Sequence, residues 1–190
     1  MENSFLHIVH FDMIDINYIW MAIIKGLNTE YSDYTYLKAN QKGNLPEYPY
    51  VTINATIPYL KDKDMLKSKP TYINLEDPTK LQENFSEQPK MIFSFNAYSD
   101  NLAQCLKALQ DTVEWLKITN KQYLENCGIV IVDIGEIKDQ TNWLETDYLY
   151  HWGFDLTIRV NDTVSTQVDA VSGVKITNQN NNENLSIGDD

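Results

Sequence analysis

The thirteen residues YLYHWGFDLTIRV, Tyr148 to Val160, alternate more cleanly than any other part of the chain. Even positions include Tyr150, Trp152, Phe154, Leu156, Ile158 and Val160, and odd positions carry His151, Gly153, Asp155, Thr157 and Arg159. A period of two is the strand period, because successive side chains point to opposite faces of a sheet. At ~3.3 Å per residue the segment reaches about 43 Å, so the fold must contain a sheet broad enough to give it neighbours. One face of that sheet is apolar and needs cover, while the other can meet water. Gly153 is the expected bulge or kink in so long a strand.

Two amphipathic helices supply the cover. Ile16, Ile19, Trp20, Ile23, Ile24 and Leu27 recur at intervals of three and four, which predicts a helix from about Ile14 to Leu27 with Asp12 or Asp15 as its N-cap. Leu102, Leu106, Leu109, Val113 and Leu116 predict a second helix of about 19 residues, capped by Ser99 and Asp100. YPYVTINATIPYL sets Val51, Ile53, Ala55 and Ile57 on one side of a strand that Pro58 is expected to close. MIFSFNAY does the same with Met91, Phe93, Phe95 and Ala97, and GIVIVDIGEI reads as a short, nearly continuous apolar strand.

Residues 60–90 break this regularity with three prolines and balanced charge, and are expected to form a long arm with a hairpin around Thr71 to Ile73. After Asn161, QVDAVSGVKI adds one more short strand, and TNQNNNENLSIGDD has the composition of a disordered end. The sum is an α+β domain over 1–176, a mostly antiparallel sheet flanked by two α-helices, followed by an acidic, Asn-rich tail over 177–190.

Charge narrows the function. Fifteen basic residues against 27 acidic ones give a net charge of −12, the wrong sign for a protein whose task is to grip phosphate. Cys105 and Cys127 lack CxxC or Cys/His partners and are expected to be free thiols. MENSFLHIVHFD has no basic region followed by a long apolar run, and no stretch approaches the ~18 apolar residues of a membrane span.

The chemistry-bearing residues do not assemble into a motif. His151 and Asp155 lie four apart on a strand, about 13 Å by the strand rise, too far for a dyad on their own. His7 and His10 in HIVH have no third ligand, and Asp133, Glu136 and Asp139 do not match a calcium loop. No phosphate-binding glycine pattern and no GxSxG occurs. We therefore expect no catalytic, cofactor or metal site, and read the odd face of the long strand, His151, Asp155, Thr157 and Arg159, as a solvated or subunit-contacting sheet face. Lys61, Lys63, Lys67, Lys69 and Tyr72 are the candidate contacts of the arm. Tyr31, Tyr34, Tyr36, Tyr48 and Tyr50 suit either an aromatic recognition platform or strand edges, the latter being preferred.

A further reading comes from the order of elements between Phe93 and Val160. A strand running into NAYSDNLAQCLKAL, a long helix, GIVIVDIGEI after Cys127 and Gly128, a Trp143-Leu144 connection and a last strand HWGFDLTIRV resemble the tail (neck) terminator proteins of long-tailed bacteriophages. YPYVTI, after the first helix, resembles that family's first strand. The resemblance covers most of residues 14–176. It implies a structural virion protein, assembled in the host cytoplasm, that forms a hexameric ring at the head-proximal end of the tail tube. Such a ring stops tube polymerisation and joins the tail to a head-completion or connector protein. Its implied partners are further copies of itself, the tail tube protein and that connector, with DNA passing through the lumen without specific binding and no membrane. Another neck or tail-completion protein, a small binding module, or an enzyme around His151 and Asp155 are the alternatives.

Overall fold

A computed structural model of the protein describes residues 15–60, 70–77, 79–143, 148–170, 174–177 and 184–187. Helix α1 (Ile16–Glu30) is followed by strands β1 (Thr35–Lys38), β2 (Tyr50–Leu60), β3 (Thr71–Asn74), β4 (Lys80–Glu87) and β5 (Lys90–Ser99). Helix α2 (Leu102–Glu114) then leads through a π-helical turn, Trp115–Thr119, into α3 (Lys121–Asn126). Strands β6 (Ile129–Ile134), β7 (Lys138–Asp139), β8 (Asn142–Trp143), β9 (Tyr148–Val160), β10 (Asp162–Asp169), β11 (Val174–Thr177) and β12 (Asn184–Ile187) complete the order. The chain divides into two compact units, one of residues 14–65 and 88–162, the other of residues 1–13, 66–87 and 163–190.

The first unit is the expected α+β layer. Its seven-stranded sheet has the order β1-β2-β5-β9-β6, with β7 and β8 also paired to β9. Only β1 runs parallel to its neighbour, and the other pairs are antiparallel. The alternating segment is β9, and its length is explained by what lies beside it. β5 pairs along ten consecutive positions on one side, while β6, β7 and β8 follow one another along the other.

Both helices sit on the face that carries Met91, Phe93, Phe95 and Ala97 of β5 and Phe154, Leu156 and Ile158 of β9, all buried. Phe95 and Phe154, directly paired in register, stack at 5.0 Å. From α1 come Ile19, Ile23, Ile24 and Leu27, with Asp15 as the N-cap accepting the Asn17 N–H at 2.8 Å. The helix continues to Glu30, beyond the expected end at Leu27, and Gly26 inside it serves packing. A Cβ there would stand 2.5 Å from the ring of Trp115.

α2 differs from its sequence reading in two respects. Its N-cap is Asn101, whose side chain accepts from Ala103 and Gln104, whereas Ser99 is buried and accepts the Asn101 N–H. Its buried stripe is Cys105, Ala108, Leu109 and Thr112, continued by Trp115 and Leu116, while Leu102 is exposed. Leucine spacing misplaced the stripe by about one position because small residues let the helix lie close to the sheet, and small residues carry little weight in a hydrophobic pattern.

The two ends of this sheet are unlike. At the β1 edge, the Asn28 side chain donates to the Tyr36 carbonyl at 2.9 Å and accepts the Tyr36 N–H at 3.0 Å, closing the outward peptide groups. β6 forms the other edge, and Val130 and Val132 stand exposed on it. It is thus a half-covered edge strand, for all its nearly continuous apolar run. Pro58 does not end β2; it sits where the β2–β5 register shifts between Ile57 and Leu60, so its missing N–H leaves the regular ladder intact.

In the second unit β3 and β4 form an antiparallel hairpin, with Thr71 to Asn74 as its first strand, and β10 joins β4 to make a three-stranded sheet. Asp77 turns this hairpin by accepting both the N–H and the hydroxyl of Thr79, at 2.9 and 2.6 Å, and these bonds hold its carboxyl below the usual range. β11 and β12 pair with each other as a two-stranded ribbon within a stretch whose composition suggested disorder. Lys61, Lys63, Lys67 and Lys69 of the expected arm lie outside the described residues.

Candidate functional site

The surface that could meet a partner is the sheet face opposite the helices, and the register of three strands builds it row by row. In the first row Tyr50 of β2 opposes Tyr98 of β5, which opposes His151 of β9. Their rings stack in sequence, Tyr48 on Tyr50 at 5.5 Å, Tyr50 on Tyr98 at 5.0 Å and Tyr98 on His151 at 4.4 Å. Offset stacks of this kind are worth about 0.5–1.5 kcal/mol per aromatic pair beyond burial. Standing against one another, these rings form a continuous ladder across the sheet.

The second row is Thr52, Asn96 and Gly153. Gly153 is required for closeness, not for a bulge: a Cβ would lie 2.6 Å from both Asn96 Oδ1 and the Phe95 carbonyl. The room it leaves is used by Asn96, whose Oδ1 accepts from His151 Nε2 at 3.1 Å. The His151 backbone is held as well, its carbonyl accepting the Gln140 N–H at 2.8 Å and its N–H bonding Thr141 Oγ1 at 3.2 Å. Partial burial lowers the imidazole pKa below its ordinary value, with a backbone contact to Gln140 and the charge of Asp139 pulling the other way. His151 is therefore a neutral, immobilised ring near pH 7.

Further rows are polar and then mixed. Asn54, Ser94 and Asp155 form the third, and Ile57, Ile92 and Thr157 the fourth, where Asp133 of β6 also meets Thr157. In the last row Leu60 and Lys90 lead to Arg159 and then to Val130. All four expected residues, His151, Asp155, Thr157 and Arg159, thus lie on one face, with Asp155 exposed and the others half-buried. His151 and Asp155 are two rows apart, His151 engaged by Tyr98 and Asn96, Asp155 opposite Ser94.

Tyr72 belongs to the second unit, on exposed β3, where its hydroxyl donates to Glu83 Oε1 of the paired strand at 2.8 Å. The five tyrosines read as one possible platform separate into two groups. Tyr48 and Tyr50 belong to the ladder, whereas Tyr31, Tyr34 and Tyr36 dock on α2. Tyr31 and Tyr34 donate to the carbonyl and carboxylate of Asp111, each at 3.0 Å, and Tyr36 bonds Thr112 at 3.0 Å. Because Thr112 already donates to the Ala108 carbonyl, Tyr36 is the donor. Burial and the Asp111 hydrogen bond push the Tyr34 hydroxyl up to about 12.

Tyr98 and Asn96 are the residues that sequence reasoning missed. The available signal was their position on the polar side of β5, alternating with the apolar Met91 to Ala97 series. Cys105 and Cys127 are free, and burial pushes the Cys105 thiol up to about 11. Among the described residues no three His, Cys, Asp or Glu side chains gather as a metal ion would require.

The class of protein defined by these features is a helix-backed antiparallel sheet that offers a broad, rigid, mostly polar face. The chain belongs to the phage neck terminator protein family, whose pattern matches residues 18–183, from α1 to the segment just before β12. A comparison with curated proteins found no match. Membership gives the chain a structural role in the phage tail and a place in the virion.

Proposed function

We propose that the protein forms a hexameric ring at the head-proximal end of the tail tube, where it ends tube polymerisation and joins the tail to a head-completion protein. The family match over residues 18–183 carries this reading. The open sheet face supports it physically. A ring repeats one heterologous contact around an axis, so each chain needs two complementary patches held in fixed geometry. The ladder from Tyr48 to His151 and the rows through Asp155, Thr157 and Arg159 supply one rigid patch, facing either the next subunit or the lumen. The Lys61 to Lys69 segment and Tyr72 are candidates for a second contact.

A net charge of −12 suits a lumen through which DNA slides, because an acidic wall repels phosphate and does not retain it. In this reading the protein is not an enzyme, and His151 and Asp155 are surface residues.

The test is assembly. Light scattering on the purified chain, alone and with tail tubes, should give the mass of six chains in solution or on tube ends, and phage lacking the protein should build tubes of uncontrolled length. Tubes of normal length in its absence would overturn the proposal.

A further inference from the structure

Among the described residues the two most exposed large hydrophobic side chains are Ile118, at 75%, and Leu45, at 70%. Ile118 belongs to the π-helical turn, Trp115–Thr119, and Leu45 to the connection between β1 and β2. The two places differ in shape. Beside the π-helical turn lies a cavity of about 270 Å³, lined by buried Leu116 and Leu124, half-buried Ile131, and exposed Lys117, Lys121 and Glu125. Turns of this wide form are rare inside helices and are frequent at functional places. A cavity of ~150 Å³ already holds a benzene ring, so this one has room for a leucine side chain with a proline ring beside it. Lys121 stands 3.8 Å from Glu125, and Lys117 has no ion pair among the described residues. The rim is therefore net positive on a chain of charge −12.

The connection between β1 and β2, residues 39–49, has the opposite form. Leu45 projects into solvent, with half-buried Pro46 next to it and exposed Glu47 one position further. A lone exposed leucine is ordinary on a protein surface. What gives this one meaning is that Leu-Pro followed by an acid complements an apolar socket rimmed by lysines, while Lys42 of the same loop matches Glu125 of the rim. Knob and socket flank opposite ends of one sheet, β1 and β6, which are four strand spacings apart. That is about 19 Å, so a chain does not fill its own socket, whereas neighbours set head to tail can fill each other's.

We propose that the cavity of one copy receives Leu45 and Pro46 of the next, with Glu47 set against Lys117 and Lys121. This rests on the ring reading and names its heterologous contact, loop to socket.

Two differently tagged full-length chains test it, one with Glu47→Cys and one with Lys117→Cys, both with Cys127→Ser. Assembled together and oxidised, they should form a disulfide between the two tags, and neither should form one alone. Independently, Leu45→Asp should weaken self-association at least roughly tenfold while leaving the thermal unfolding of the single chain unchanged, because the side chain is exposed there. Lys117→Glu with Lys121→Glu should weaken it by a similar factor, and Glu47→Lys in the same chain should restore part of the loss. Rings that form without a cross-tag disulfide, or that tolerate all these substitutions, overturn the inference and leave the ring intact. A wild-type chain that never self-associates, alone or on tail tubes, removes the ring reading and this inference with it.

Discussion

The two faces of the seven-stranded sheet use the same strands for opposite purposes. Along β5, Met91, Phe93, Phe95 and Ala97 are almost wholly hidden under the helices, while Ile92, Ser94, Asn96 and Tyr98 between them are half-buried on the open side. The covered face answers to volume, so its residues are interchangeable only with others of like shape. The open face answers to hydrogen bonds and ring stacking between neighbours, which order the surface while contributing less to stability. Substitution should therefore separate them. Phe95→Ala removes a fully buried ring stacked on Phe154 and should cost about 3–5 kcal/mol in urea unfolding. Asp155→Ala, four strand positions from His151 and exposed, should stay within about 0.5 kcal/mol. Equal costs would erase the distinction.

Gly153 is where the two faces meet, because its neighbours include the Phe95 carbonyl and the Asn96 side chain. Gly153→Ala forces a Cβ to within 2.6 Å of both, and the backbone atom cannot step aside. We expect a loss of about 1–3 kcal/mol, with the His151 to Asn96 bond broken in the same variant. Thermal unfolding gives the first quantity, and the ring shifts of His151 in NMR spectra give the second. A variant as stable as wild type would show that β5 and β9 separate locally enough to clear the Phe95 carbonyl.

A smaller effect belongs to the polar edge of the covered layer. Tyr34→Phe deletes one hydrogen bond to the Asp111 carboxylate, which Lys107 still pairs, and should cost about 1 kcal/mol. Spectrophotometric titration should show one tyrosine fewer among those ionising late, since Tyr34 is pushed up to about 12.

Much of this architecture was legible because period and chemistry agreed. β9 and β5 alternate without interruption, and α1 repeats its isoleucines at helical spacing, so strand, helix and inward face follow from the sequence. What was not legible depended on pairing between distant segments. That Tyr50, Tyr98 and His151 form one row requires the register of β2, β5 and β9, which lie 48 and 53 positions apart at that row. Gly153 looked like a bulge because a glycine advertises freedom, while the reason for it, a close neighbour in Asn96, lies elsewhere in the chain. The buried stripe of α2 was misplaced for a related reason. Ala108 and Thr112 face the core because they are small, and Leu102 sits outside although it is the better hydrophobe.

His151 gives the smallest effect and the finest test of the open face. Partial burial between Tyr98 and Asn96 disfavours the imidazolium, so the folded pKa lies below the unfolded value near 6.5, against the pull of Asp139 and the Gln140 backbone. Above pH ~6.5 both states hold a neutral ring, and the full stability is present. As pH falls below that value the unfolded chain binds a proton first, and stability is lost until the folded pKa is passed. Urea midpoints measured between about pH 7.5 and pH 5.5 should therefore decline, and His151→Gln should flatten the decline while keeping a partner for Asn96. A steeper decline in the variant would mean that Asp139 dominates, raising the imidazole above its ordinary value, and the ladder would then end in a charge instead of a neutral ring.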